Sequence, residues 1–285
     1  EKDDKVVVNI TQWPTLHRSP EGEVVNVLGK EGEPGVDVMS VVKQFSLRHE
    51  WPGEVLEDAR EIEGDPTEEE KAERVDRREY TTLTIDPEDA KDFDDALSLF
   101  DDPETGNRVA LVHIADVSHF VKPESELDKE AQRRAMSVYL ASDVVPMFPE
   151  EQSRETLSLI AGKDRLAKTV RLEFDERGRV RSYSLERSVV RVDERMTYSE
   201  VQDILEAYDS NDETLSAPIL SRLPEDVLDL VLGLDDLAMQ LRDRRQRVGS
   251  VDLDVPEDDI DVNERGEDIA VSQIERDPSH ERVEE

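Results

Sequence analysis

Five aspartates and a glutamate crowd into ten residues of "TIDPEDAKDFDDALS", Thr84–Ser98, yet the residues on either side are apolar. The runs "YTTLTI" before and "ALSLF" after are β-branched and apolar, the pattern of strands that enter a core, so the charge lies at the mouth of a sheet. Asp86, Asp92, Asp94 and Asp95 are the candidates for chemistry. In one continuous strand Asp94 and Asp95 would face opposite ways, so the four converge only if the chain bends between two strand ends. Pro87 favours that bend by fixing its own φ and disfavouring helix at Asp86. Carboxylates held a few ångströms apart repel one another unless a cation lies among them, and hard oxygen ligands suit Mg²⁺ or Mn²⁺. Such an ion can polarise a phosphodiester, generate hydroxide and neutralise a leaving oxygen. The spacing is not that of a calcium EF-hand, which needs alternating ligands, a glycine at the sixth position and a distal glutamate. On spacing alone two readings stand, a metal-holding loop and a solvated acidic turn. Asp89, within the same run, reads as a turn residue that bonds its own backbone.

The elements that must position this loop follow from the pattern. Strands are expected over 80–85 and 96–100, and after a "DDPETGN" turn the run "RVALVHIADV" completes a hairpin with the acidic loop at one end. "PESELDKEAQRRAMSVYL" offers Ser125 as a cap with Asp128 three residues on, and places Leu127, Ala131, Ala135 and Val138 on one helical face. Strands in "TVRLEF" and "RVRSYSLERSVV" flank a "DERG" turn and precede a short helix from about Tyr198 to Tyr208. The strongest helical signal is "PEDVLDLVLGLDDLAMQLRDRRQR", where Val227, Leu230, Val231, Leu234, Leu237, Ala238 and Leu241 keep the 3.6-residue period. Two more strands are expected near 250–255 and 268–274. Short strands at 5–10 and 23–28 read as the tail of a small β-barrel, Val36–Phe45 is apolar-periodic, and "EWPGEVLEDAREI" and "PTEEEKAERVDRREY" read as charged helical connectors. "RDPSHERVEE" announces a helix, with Asp277 as cap and Pro278 at its first position, so the sequence reads as a fragment cut at both ends.

Composition narrows the classes. At 285 residues and 36% apolar content the chain can bury a real core, and its lack of cysteine excludes disulfides and thiolate metal sites. No run is long enough to cross a membrane and no leader precedes the first strand, which makes the cytoplasm the expected compartment. The net charge of −36 is spread along the whole chain. Self-repulsion on that scale is relieved in concentrated salt, where the Debye length falls to roughly 3 Å, so the sequence suggests a salt-adapted, halophilic source. The alternative is an ordinary acidic protein with acidic linkers. His113 and His119 flank "IADVS" and read as core or supporting histidines, not ligands. Arg242, Arg244, Arg245 and Arg247 form the densest basic cluster, which suits either phosphate contacts or a solvated helix end.

The run "TIDPEDAKDFDDALS" closely resembles the signature of the ribonuclease II / ribonuclease R family. The resemblance continues through "VALVHIADVSHFVKPESELDKEAQRRAMSVYLASDVVPMFPE", "RDRRQRVGSVDLDVPE" and "IERDPSHERVEE", and covers nearly the whole chain from Val6 onward. It implies an α+β fold: the end of a cold-shock-like OB β-barrel over 1–45, a charged helical linker over 46–77, and the N-terminal part of an RNB catalytic domain with a mixed or antiparallel sheet over 78–285. It implies a processive 3′-to-5′ exoribonuclease that hydrolyses RNA to nucleoside 5′-monophosphates with Mg²⁺ or Mn²⁺, taking the 3′ end of single-stranded RNA as its partner. By the same resemblance Asp86, Asp92 and Asp95 become metal ligands, Asp94 the aspartate that serves the hydrolytic step, and Tyr139 a contact to the terminal nucleotide. Arg244, Arg245 and Arg247 are the RNA-binding candidates. The chain departs from the family pattern at "SRETLSL", Ser153–Leu159, where Arg154 replaces an asparagine and the usual cysteine is absent. The arginine-rich stretch and glutamate that complete the family's site would fall beyond Glu285. Two rival functions are an inactive homologue that binds RNA without cutting it and an acidic structural protein with a calcium-stabilised loop. No protein partner is implied.

Overall fold

The computed structural model describes residues 3–62, 65–88, 90–140, 143–210, 213–251, 258–262 and 269–273. In chain order these form β1 (Asp4–Gln12), β2 (Glu21–Lys30), α1 (Val36–Gln44), α2 (Gly53–Arg60), α3 (Glu68–Ala72), β3 (Val75–Asp76), β4 (Leu83–Asp86), β5 (Asp95–Asp101) and β6 (Arg108–Ala115). There follow α4 (Val117–Phe120), α5 (Glu126–Arg134), β7 (Val138–Leu140), β8 (Asp143–Val145), a π-helical turn at Gln152–Thr156, β9 (Asp164–Phe174), β10 (Val180–Arg191) and β11 (Glu194–Thr197). The last elements are α6 (Tyr198–Asp209), α7 (Glu213–Leu220), α8 (Glu225–Arg247), β12 (Asp258–Val262) and β13 (Ile269–Gln273). The chain divides into two compact units.

The unit built from Ala59–Pro123 and Glu150–Asp254 carries a seven-stranded mixed sheet in the order β11-β4-β5-β6-β9-β10-β3. The pairs β4–β5, β5–β6, β6–β9 and β9–β10 are antiparallel, while β11 lies parallel to β4 and β3 parallel to β10. One face is covered by helices: Leu83 and Met196 pack with Val201, Ile204 and Leu205 of α6 and Val227, Leu230 and Val231 of α8. Further along α8, Leu237 and Leu241 lie on Ala110, Leu172 and Phe174. The heptad-like apolar stripe of α8 is what lets one 23-residue helix span the sheet. Gly233 lets the helix approach closely there: a Cβ would come within 2.9 Å of the Leu99 side chain and push its terminal methyl aside. The opposite face mixes small apolar residues such as Ala96, Ala167 and Val190 with a buried polar row. In that row Thr82 meets Ser98 at 2.8 Å, Ser98 meets His113 Nε2 at 3.1 Å, and His113 Nδ1 meets Thr169 at 2.7 Å. Both ring nitrogens of His113 are thus occupied within the core, and His119 Nε2 is paired with Glu70 at 2.6 Å. Neither histidine faces the acidic loop as a ligand would.

The other unit contains Glu1–Asp58, Glu124–Pro149 and the β12–β13 pair. Its β1–β2 hairpin leaves Val24, Val25 and Val27 more than half exposed. Its centre is Glu130, which is fully buried and accepts both Nε and Nη2 of Arg48 at 2.7 and 2.8 Å and Nε of Arg134 at 3.1 Å. The Arg134 guanidinium in turn stacks 3.3 Å over the Trp51 ring. Ser125 caps α5, its hydroxyl accepting from Asp128 N at 3.1 Å as the sequence predicts. The helix does not run on to Val138, however. Ala135 takes a φ of +67° that ends it, and Val138–Leu140 pairs instead with Asp143–Val145. β-branched and aromatic side chains follow the strand once a partner strand is available. Tyr139 is therefore a strand residue, 70% exposed. The strand expected near 250–255 and the helix start in "RDPSHERVEE" lie outside the described residues.

Candidate active site

The acidic loop joins the C-terminal end of β4 to the N-terminal end of β5, with Asp86 as the last residue of one strand and Asp95 as the first of the next. The β4–β5 pairing is short, Leu83 opposite Leu97, so the strands part early and leave room for the loop between them. Three backbone anchorages fix it. Phe93 N donates to Ser158 Oγ at 2.8 Å while Leu159 N donates to Phe93 O at 2.7 Å. Ala115 N donates to Asp94 O at 2.9 Å. Arg195 Nη2 donates to the carbonyls of Pro87 and Glu88 at 2.6 and 3.3 Å. The start of β4 is held as well, through a reciprocal pair in which Thr82 N donates to Asp193 Oδ2 at 2.9 Å and Asp193 N to Thr82 O at 2.8 Å. The "SRETLSL" segment, where the sequence departs from the family pattern, thus supplies the brace behind Phe93.

The carboxylates influence one another. Asp86 is 8% exposed, and its Oδ2 is buried without a hydrogen-bond partner. Burial pushes its carboxyl up to about 6, repulsion from Asp95 and Asp94 adds to this, and the Thr84 hydroxyl and Arg195 pull the other way without cancelling it. Asp94 is raised by desolvation and then by repulsion from Asp92 and Asp95, and Asp95 by desolvation. Asp94 and Asp95 keep an open side to solvent, so it is the common direction of these shifts that matters. Three carboxyls pushed the same way, one with an orphaned oxygen, are a donor set suited to a hard divalent cation. Among the described residues no three His, Asp or Glu side chains are gathered closely enough to grip a metal by themselves.

The arginine candidates are not brought to the loop. Arg244, Arg245 and Arg247 occupy the last turn of α8. That helix begins against Leu83, near the loop, and its later turns lie over Ala110 and Phe174 at the other end of the strands. At about 1.5 Å per residue, Arg244 is roughly 25 Å along the axis from Val227. Arg247 also pairs with Asp243 at 3.3 Å. Tyr139 belongs to the unit that does not contain the loop. Residues that sequence reasoning missed are Arg195, Phe93 and Ser158. The Thr197–Glu200 capping box was readable as a helix start, but nothing in the pattern marks the four-residue β11 before it, from which Arg195 projects.

The architecture is that of an acidic loop at the open end of a mixed sheet with helices on one face. The RNB domain model matches residues 74–285, and a cold shock domain model matches residues 1–52. Ribonuclease R of Thermotoga maritima is 38% identical over 99% of this chain, which spans 38% of that protein's length. The ribonuclease R of Mycoplasma genitalium, solved with ribose-methylated single-stranded RNA, superposes with a TM-score of 0.84 at 27% identity, covering 99% of this chain and 42% of that one. The same protein solved with double-stranded RNA gives 0.84 over 99% of this chain and 48% of that one, again at 27% identity. The chain belongs to the RNB-domain family of ribonuclease II and ribonuclease R, and its relatives are of the ribonuclease R type. It spans about two-fifths of the length of curated relatives such as the ribonucleases R of Thermotoga maritima and Aquifex aeolicus.

Proposed function

We propose that the protein containing this chain is a 3′-to-5′ exoribonuclease that shortens RNA processively, releasing nucleoside 5′-monophosphates in RNA turnover in the cytoplasm. The observation that carries the reading is the buried, unpartnered Oδ2 of Asp86 beside the carboxyls of Asp94 and Asp95. Asp86, Asp92 and Asp95 would hold the divalent ion, Mg²⁺ or Mn²⁺. When bound, that ion supplies charge neutralisation for the phosphate and lowers the pKa of water. Asp94, with its open side to solvent, orients the attacking water. Water oxygen bonds to phosphorus, the bond from phosphorus to the 3′ oxygen of the preceding nucleotide breaks, and that oxygen takes a proton. Sheet and braces hold the carboxylates in place before substrate arrives, which is where such sites derive most of their rate. Tyr139 contacts the terminal nucleotide. The arginines at the end of α8 meet phosphates further along the strand, where local positive charge offsets the acidic surface. We assign 1–45 to the cold-shock-like unit, 46–77 to the linker and 78–285 to the catalytic domain.

The test is product analysis with the longer protein and a single-stranded RNA labelled uniformly in its phosphates. Nucleoside 5′-monophosphates should accumulate from the 3′ side in Mg²⁺ or Mn²⁺ and stop on chelation. Internal fragments, or equal activity in EDTA, would refute the assignment.

A further inference from the structure

We propose that Arg195 is a positioning residue for the acidic loop: it clamps the backbone after Asp86 against Phe93 and so sets the spacing on which divalent-cation affinity depends. The inference rests on the metal reading of the loop. In the parallel β11–β4 register Arg195 lies opposite Thr84, two residues before Asp86. Its guanidinium reaches past the end of β4 to the carbonyls of Pro87 and Glu88 at 2.6 and 3.3 Å, in the bend that turns the chain out of the strand. The same group lies 5.5 Å from the centre of the Phe93 ring, and Phe93 stands between Asp92 and Asp94. Phe93 cannot drift, because Ser158 and Leu159 hold its backbone from the other side. One planar, permanently charged group therefore ties the arm ending in Asp86 to the arm carrying Asp92, Asp94 and Asp95. Its Nε is buried and makes no hydrogen bond, so the placement is not explained by satisfaction of the arginine itself.

The proposal makes a prediction opposite in sign to simple electrostatics. Deleting a positive charge beside a cation site should tighten cation binding through Coulomb's law alone. Loss of positioning should weaken it, roughly 10–100-fold by the usual effect of removing a partner that orients metal ligands. The experiment titrates Mn²⁺ calorimetrically into the metal-free longer protein, with urea unfolding run in parallel. Arg195→Met should weaken Mn²⁺ binding at least tenfold, and Arg195→Lys, which keeps the charge and N–H donors but not the planar guanidinium that faces Phe93, should recover part of the loss. Mn²⁺ affinity equal to or tighter than the parent's in a normally folded Arg195→Met protein would overturn the proposal. Should that variant not fold, Phe93→Leu, which removes the ring the guanidinium faces, decides it: several-fold weaker binding supports the clamp and unchanged binding overturns it. A parent whose Mn²⁺ affinity is untouched by Asp86→Ala would instead overturn the metal reading, and the clamp with it.

Discussion

At the scale of single residues, His113 and Asp86 show burial acting on two titratable groups with different ends. His113 is fully buried between Ser98 and Thr169, and desolvation, with Arg77 adding, pushes its pKa down to about 4. The folded imidazole stays neutral while the unfolded one takes a proton near pH 6.5. As pH falls the unfolded state therefore binds protons first, so the contribution to stability is full above about pH 6.5 and is lost progressively towards pH 4. Between pH 7 and pH 5 the loss should be on the order of 2 kcal/mol. Urea unfolding of the parent and of His113→Gln at both values isolates it, since the carboxylates titrate alike in the two proteins. A steeper decline for the parent is expected, and equal declines would contradict the assignment. His113 was legible as a core histidine because an apolar strand surrounds it. Asp86 was legible as a site residue because Pro87 and four more aspartates follow within nine residues. Arg195 was not, because a lone arginine in a four-residue strand carries no periodicity, and its meaning lies in a contact more than a hundred positions away in sequence.

Among elements, legibility followed the length of the repeating pattern. The stripe from Val227 to Leu241 keeps its period over four turns, and α8 forms with Val227, Leu230, Val231, Leu237 and Ala238 buried. The hairpin that carries the acidic loop was equally plain, and β5 and β6 pair from Asp95–Ile114 to Asp101–Arg108. The α5 region misled because its apolar positions fit both patterns. Leu127 and Ala131 are buried in the helix, but Ala135 breaks it and Val138 goes into a strand. Strand β11 was hidden for the opposite reason, being too short to show alternation, although its parallel pairing with β4 places Thr197 opposite Asp86. The site consequently draws on one element that sequence reveals, the β4–β5 hairpin, and two that it does not, β11 and the Ser158–Leu159 segment. Local pattern announces the carboxylates, while the supports come from distant chain segments whose pairing is set only by the closed sheet.

For the molecule as a whole, the charge of −36 works against a compact state and against RNA. Much of it is met locally, as where Asp164 receives Lys71, Arg78 and Arg191, but the surplus must be screened by solvent ions. Melting temperature should therefore rise as KCl is increased from low millimolar to about 1 M, because the Debye length shrinks from more than 30 Å to about 3 Å over that range. A melting temperature that is flat or falls would count against salt adaptation. On the proposed function, the aspartates of the acidic loop act on the hydrolytic reaction and not on RNA affinity. Removing one carboxylate from a braced loop should raise the barrier while leaving phosphate contacts elsewhere untouched. The most direct measurement sets Asp94→Asn beside the parent in the longer protein, following single-turnover shortening of a 3′-overhanging RNA and equilibrium binding of the same RNA. The rate should fall by at least a thousandfold, about 4 kcal/mol in the barrier, with RNA affinity within about threefold of the parent. Parent-like shortening by Asp94→Asn, or a loss of rate matched by an equal loss of RNA binding, would contradict it.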